Sequence, residues 1–96
     1  MRTVSLQILY ERKAERFLLK NQNKITNKEA RELIIKAVRK LTGKDENIDI
    51  VKMKGEFKGH FRIRKNDLRI IFSIYEDENT IIVTVANIDF RGSIYK

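Results

Sequence analysis

Residues 59–86 read GHFRIRKNDLRIIFSIYEDENTIIVTVA, and this stretch decides the fold. Apolar residues recur at every second position in three successive runs, which is the period of half-buried β-strands. The runs are separated by residues 65–67 and 76–79, whose Asn and Asp residues favour tight turns. The pattern predicts three consecutive strands joined as two hairpins.

The residues before this stretch add one strand and two helices. Thr3 to Tyr10 alternates as a strand, and residues 11–20 are rich in helix formers. A second helix of about four turns begins at a capping box formed by Thr26 and Glu29 and ends near Gly43. This order of elements predicts an α+β fold, in which two helices pack on one face of a mostly antiparallel sheet that the three C-terminal strands complete.

Length and composition limit the class of protein. The chain has 96 residues, enough for a single domain over residues 1–96, and lacks cysteine, which excludes a disulfide framework and a thiolate zinc site. It has no apolar run of the ~20 residues that a membrane span needs, and its first residues lack a signal peptide's apolar core. We therefore expect a cytoplasmic protein. A net charge of +8 favours a polyanion or an acidic protein as partner.

The positive charge is concentrated in one segment. Residues 52–69 contain seven basic and two acidic residues, so they carry +5 of the net +8. Residues 43–59, which overlap the start of this segment, look irregular and polar, with a short apolar piece at residues 48–51. The excess charge therefore falls mainly on the first predicted hairpin and the chain that leads into it.

The register of the hairpins decides which side chains share a face. A two-residue turn at Asn66-Asp67 sets Arg64 opposite Arg69 and pairs the apolar residues with each other. The basic side chains then lie on the face away from the core: His60, Arg62, Arg64 and Arg69. For the second hairpin, a four-residue loop at 76–79 predicts Phe72 opposite Val83 and Arg69 opposite Ala86.

Arginines that face each other across a sheet repel, and this prediction places no acidic residue between them. Guanidinium groups match phosphate geometry, so such a cluster favours an anion-binding face. The alternative is a basic patch that serves only solubility.

Four short motifs follow one another along the second half of the chain. They are Lys54-Gly55, residues 59–64 (GHFRIR), residues 67–72 (DLRIIF) and residues 90–96 (FRGSIYK). This ordered set resembles the RelE family of toxins from type II toxin–antitoxin modules, and the order of elements resembles that family over the whole chain. The resemblance implies a RelE-like fold of the microbial ribonuclease type.

The resemblance also implies an activity and partners. RelE-type toxins are endoribonucleases that enter the ribosomal A site and cut messenger RNA without a metal or another cofactor. The ribose 2′-hydroxyl attacks the adjacent phosphate and leaves a 2′,3′-cyclic phosphate. A cognate RelB-like antitoxin, acidic in the segment that wraps the toxin, would cover the basic face.

Site residues follow from the motif match. The catalytic set is Arg64, Arg69, Arg91 and Tyr95, and the RNA- or ribosome-binding set is Lys52, Lys54, Lys58, His60, Arg62 and Lys65. The resemblance implies that Arg69 contacts the scissile phosphate, that Arg91 stabilises charge or protonates the leaving group, and that Tyr95 orients the ribose or relays a proton. Some relatives carry a lysine, a proposed general base, where this chain has Arg64. An arginine does not readily lose a proton.

Two further interpretations stay open at this point. His60 is either a proton-transfer group, as an imidazole can be near neutral pH, or a polar residue at the start of a strand. The whole protein is either the nuclease, a ParE-like toxin that inhibits DNA gyrase without catalysis, or an RNA-binding domain. Arg69, Arg91 and Tyr95 favour the nuclease over the gyrase inhibitor, and an aromatic content of 8% disfavours base stacking by a simple RNA-binding sheet.

Overall fold

The computed structural model describes residues 4–90, which form two α-helices, a short 3₁₀ helix (Gly55–Phe57) and a five-stranded mixed sheet. The elements are β1 (Ser5–Tyr10), α1 (Arg12–Lys20), α2 (Asn27–Leu41), β2 (Asp49–Lys52), β3 (His60–Lys65), β4 (Leu68–Glu76) and β5 (Thr80–Phe90). The strand order is β1-β5-β4-β3-β2, and every neighbouring pair is antiparallel except β1 with β5. The predicted α+β class and the mostly antiparallel sheet are confirmed. In residues 4–90 no helix is long and apolar enough to cross a membrane.

The second helix begins where the sequence predicts. The Thr26 hydroxyl accepts a hydrogen bond from the Glu29 backbone N–H at 3.1 Å, and the Glu29 carboxylate accepts one from the Thr26 N–H at 3.0 Å. This reciprocal box satisfies amides that have no partner inside the helix. The helix then buries one apolar face: Ala30, Leu33, Ile34, Ala37 and Val38.

The hydrophobic core lies between the two helices and one face of the sheet. Phe72, Val83 and Val85 contribute fully buried side chains from β4 and β5, against Ala14 of α1 and Ile34 of α2. Each large apolar side chain buried in this way stabilises the fold by about 1.5–3 kcal/mol. Core burial therefore fixes which residues of each strand point toward the helices and which point to the opposite face.

The first hairpin has the predicted register. Arg64 pairs with Arg69 and Lys65 with Leu68 across the turn at Asn66-Asp67. Asn66 adopts a φ of 54°, a left-handed conformation that asparagine tolerates better than most residues. The turn chemistry and the apolar pairing thus specify the same alignment.

The predicted register of the second hairpin is wrong by two residues. Phe72 opposes Val85 instead of Val83, because the Asp77 N–H bonds to the Thr80 carbonyl at 3.0 Å and the turn is tighter than a four-residue loop. The pairing then shifts at a β-bulge, in which Ala86 is the extra residue. As a result, Arg69 faces Asp89 and not the predicted alanine.

The stretch predicted to be irregular contains a fifth strand. Residues 49–52 form β2, which runs antiparallel to β3 at the edge of the sheet. Asp49 pairs there with Arg64. Four residues are too few for a clear alternating pattern, so only the pairing with β3 reveals this strand.

The capping box supplies a test of the local structure of α2. The substitution Thr26→Ala removes the hydroxyl that accepts from Glu29, and we expect it to lower the free energy of unfolding by about 1 kcal/mol. The matched variant Thr26→Ser keeps the acceptor and should retain most of the stability. Urea denaturation followed by circular dichroism measures both, and equal losses in the two variants would contradict the capping role.

Candidate functional site

Four charged side chains form one row across the face of the sheet that the helices leave uncovered, which we term the open face. From β5 to β2 the row reads Asp89, Arg69, Arg64 and Asp49, each residue pairing with the next across a strand boundary. We call these four residues the arginine row. The predicted side-by-side placement of the two arginines is confirmed.

As predicted, no acidic residue lies between Arg64 and Arg69, which pair directly with each other. The sequence analysis did not foresee a carboxylate at each end of the row. Asp89 Oδ1 lies 3.1 Å from Arg69 Nε, and Asp49 Oδ2 lies 3.5 Å from Arg64 Nε. The pair of Arg69 and Asp89 is largely shielded from solvent, with side-chain exposures of 21% and 24%. The pair of Arg64 and Asp49 is more open, with side-chain exposures of 41% and 50%. Each carboxylate balances the positive charge of one arginine, which reduces the repulsion between Arg64 and Arg69.

The next rows of the open face carry buried polar atoms. Asn87, Ile71 and Arg62 pair across β5, β4 and β3, and His60 follows on β3 opposite Ser73. Three buried atoms have no hydrogen-bond partner within residues 4–90: Asn87 Oδ1, Arg62 Nε and His60 Nδ1. Buried polar groups are rarely left unpaired in folded proteins. Their concentration beside the arginine row is typical of a surface that binds a polar ligand.

None of the four predicted lysines joins the residues of the open face. Lys52 pairs with Phe61 and Lys65 with the buried Leu68, so both stand on the helix side of the sheet. Lys65 lines a cavity of about 320 Å³ next to α2. Lys54 and Lys58 are exposed in the connection that leads into β3. Of the ten predicted site residues, the structure therefore brings together four on the open face: His60, Arg62, Arg64 and Arg69.

Two predicted catalytic residues, Arg91 and Tyr95, lie outside the described residues, which end at Phe90. Phe90 packs against Phe17 of α1, with ring centroids 5.2 Å apart. The roles of Arg91 and Tyr95 stay predictions from the family resemblance.

Titratable groups elsewhere in residues 4–90 do not add to the site. No three side chains of the types His, Asp or Glu in this range lie close enough together to hold a metal ion. Burial raises the pKa of the Tyr10 hydroxyl, and the nearby charge of Arg31 partly opposes that shift. Tyr10 belongs to the helix side of β1, so we assign it a structural role.

The sequence reasoning missed a second group of basic residues. A cleft of about 650 Å³ lies between α1 and the end of β5, next to the arginine row. Its charged and polar lining includes Arg12, Lys13, Arg16 and Lys20 from α1, with Asn87 and Asp89 from β5. From residues 11–20 the sequence analysis predicted only a helix, although the basic residues are visible in the sequence. Together with the open face, this cleft extends the surface available to an anionic partner.

Comparisons with known proteins find relatives by structure only. No protein-family model matches the chain, and no curated protein matches it. A copper-bound mutant toxin from Helicobacter pylori matches with a TM-score of 0.67 at 15% identity, over 93% of this chain and 98% of that one. A YoeB/ParE toxin from Agrobacterium tumefaciens matches with 0.64 at 14% identity, over 88% and 97%.

A chain of the YoeB–YefM complex from Staphylococcus aureus also matches, with a TM-score of 0.51 at 20% identity, over 91% of this chain and 98% of that one. The chain therefore has the α+β fold found in toxins of the YoeB and ParE type. The fold that the family resemblance implied is confirmed.

Anion binding at the arginine row can be tested without any assumption about function. Inorganic pyrophosphate should raise the Tm of the wild-type protein, because a ligand that binds only the folded state stabilises it by mass action. We expect about 4–8 °C for each kcal/mol of binding free energy. The double substitution of Arg64→Gln and Arg69→Gln should abolish most of this rise.

The matched control carries Lys28→Gln and Lys44→Gln, which remove the same charge from exposed positions outside the open face. Differential scanning fluorimetry at several pyrophosphate concentrations measures the shift for each variant. Equal shifts in the two double variants would show that the protein binds pyrophosphate by net charge alone.

Proposed function

We propose that the protein is the toxin of a type II toxin–antitoxin module and cleaves messenger RNA on the ribosome without a metal. The observation that carries the proposal is the arginine row, in which Arg64 and Arg69 stand side by side on rigid strands of an open sheet face. The shared fold with known toxins and the family resemblance of residues 54–96 support it. A sheet positions side chains more firmly than a loop does, which suits a reaction centre.

The proposed reaction is a transfer of phosphate within the RNA backbone. The 2′-oxygen attacks the adjacent phosphorus, the bond from phosphorus to the 5′-oxygen breaks, and the products end in a 2′,3′-cyclic phosphate and a 5′-hydroxyl. One proton leaves the 2′-hydroxyl and another reaches the departing 5′-oxygen. Between these events the phosphate carries extra negative charge, which positioned donors must stabilise.

The arginines of the row would supply those donors. Arg69 is the better positioned of the two, since its guanidinium is held against Asp89 and is less exposed than that of Arg64. Neither arginine serves as a general base, because a guanidinium stays protonated. His60 is the candidate for that role among residues 4–90, because its Nδ1 has no partner there and its strand position shares the open face.

Residues 91–96 complete the proposal through the family resemblance alone. Arg91 would stabilise the leaving oxygen and Tyr95 would orient the ribose. Lys54 and Lys58 are exposed before β3, and the basic residues of α1 line the cleft beside Asp89. These groups would hold the RNA backbone, ribosomal or messenger, by charge. Lys52 and Lys65 would contact RNA only from the helix side.

We further propose that an acidic antitoxin of the RelB type covers the open face and keeps the toxin inactive in the cytoplasm. In the YoeB–YefM complex from Staphylococcus aureus, a chain of the same fold forms a complex with a second protein. The net charge of +8 provides the electrostatic attraction for an acidic partner. Antitoxin and RNA would therefore compete for the same arginines.

The activity is tested by translating a defined message with purified ribosomes and mapping new 3′ ends by primer extension. We expect new ends within codons when both ribosomes and toxin are present, and none when either is omitted. A supercoiling assay with DNA gyrase tests the ParE-like alternative in parallel. Gyrase inhibition without new RNA ends would contradict the proposed function and establish the alternative.

Two substitutions test the assignment of the donors. Arg69→Ala and Arg91→Ala should each lower the cleavage rate by about 10²–10³-fold, the cost of removing one donor to a developing charge. Lys28→Ala removes one positive charge from an exposed position on α2 and should cleave at the wild-type rate. Circular dichroism checks that each variant is folded. Normal cleavage by both arginine variants would overturn this assignment of the site.

A further inference from the structure

The β-bulge in β5 has a consequence for the arginine row. Phe72 pairs with Val85 before the bulge and Ile71 pairs with Asn87 after it, with Ala86 inserted between them. If the first register continued without the insertion, residue 88 would stand opposite residue 69. An isoleucine would then occupy the open face, and Asp89 would turn toward the core. The bulge prevents this by shifting every later residue of β5 to the other face.

The shift places an apolar residue in the core and a carboxylate on the open face. Ile88 enters the core with 2% of its surface exposed. Asp89 reaches the open face directly opposite Arg69. A β-bulge near a reactive surface commonly redirects a side chain in this way. The sequence thus places one carboxylate beside one arginine at the cost of an irregular strand.

The contact between these two side chains has two points. Asp89 Oδ1 accepts from Arg69 Nε at 3.1 Å, and Oδ2 lies 3.5 Å from Nη2. Asn87 Nδ2 lies 3.4 Å from the same Oδ2 and steadies the carboxylate. A guanidinium has five N–H donors in one plane, so a partner along one edge leaves three donors directed elsewhere.

The neighbouring arginine lacks such a support. Asp49 approaches Arg64 only at Nε, at 3.5 Å, and half of the Asp49 side chain is exposed. Exposed pairs of this kind restrict a side chain little, because water competes for both partners. Of the two arginines, only Arg69 is therefore held in one orientation by a shielded carboxylate.

We propose that Asp89 is a positioning residue, which fixes the Arg69 guanidinium so that its free donors face the phosphate. The inference deepens the proposed function and rests on it for the cleavage step. A fixed donor stabilises developing charge without having to reorient during the reaction. The carboxylate also cancels one positive charge, so it weakens the attraction for RNA while it improves the geometry.

Removing the Asp89 charge should therefore affect RNA binding and the cleavage rate in opposite directions. Asp89→Asn preserves the shape of the side chain but removes its charge. The variant should bind RNA at least as tightly as the wild type and cleave between about 10-fold and 100-fold more slowly, as a misplaced group does. Asp89→Glu restores the carboxylate on a longer chain and should show an intermediate rate.

Single-turnover cleavage on programmed ribosomes measures the rate, and fluorescence anisotropy with a 2′-O-methyl RNA measures the affinity. Glu78→Gln is the matched control, because it makes the same change of charge in the exposed turn between β4 and β5. It should leave the rate unchanged. A rate for Asp89→Asn equal to that of Glu78→Gln would overturn the positioning role and leave the proposed function intact.

Nitrogen-15 NMR of the arginine Nε–H groups tests the positioning role of Asp89 separately from the proposed RNA cleavage. The Arg69 signal, assigned by its loss in Arg69→Lys, should be sharp in the wild type, respond to inorganic pyrophosphate and broaden in Asp89→Asn. Absence of cleavage by the wild type would overturn the proposed function, and this signal would then decide whether Asp89 positions Arg69 toward phosphate. An Arg69 signal that is the same in Asp89→Asn as in the wild type would overturn the inference.

Discussion

The register of the hairpin formed by β3 and β4 is the constraint on which the site depends. Arg64 and Arg69 face each other because the apolar residues beside them must enter the core. Like charges opposed across a sheet cost about 0.2–1 kcal/mol, whereas burying one large apolar side chain stabilises the fold by about 1.5–3 kcal/mol. Burial of Phe72 and its neighbours therefore decides the register. A slip of one residue would turn the arginines inward and expose the core.

The arginine row and the basic residues around it have different roles on this surface. The arginine row is neutral as a unit, because Asp49 and Asp89 stand at its two ends. The excess positive charge lies around it, on Arg62, the lysines before β3 and the basic residues of α1. We infer that the surrounding charges attract a polyanion over distances near the Debye length, while the row supplies a few donors in fixed positions. In such a site the carboxylates orient the arginines, and the surrounding basic residues provide the affinity for the polyanion.

Much of the fold could be predicted from the sequence, because local signals agreed with the global arrangement. The capping box at Thr26 and the turn at Asn66 both specify their elements with few alternatives. The register of β5 could not be obtained in the same way, since a bulge adds a residue that pairing rules alone do not foresee. One signal was present in β5: its core-side apolar residues fall on odd positions at Ile81, Val83 and Val85 and on even positions at Ile88 and Phe90. That change of phase marks the bulge and would have placed Asp89 on the open face, but its pairing with Arg69 also depends on the tight turn between β4 and β5. The edge strand β2 was too short to predict.

The proposed function requires RNA to bind the open face through the arginine row. An NMR titration of the isotope-labelled protein with a short 2′-O-methyl RNA, which cannot be cleaved, tests this most directly. At low salt, where phosphate contacts are strongest, we expect amide shift changes to concentrate on β3, β4 and the end of β5, at residues such as His60, Arg64, Arg69 and Asn87. Shift changes confined to α2 and the helix side of the sheet would contradict it.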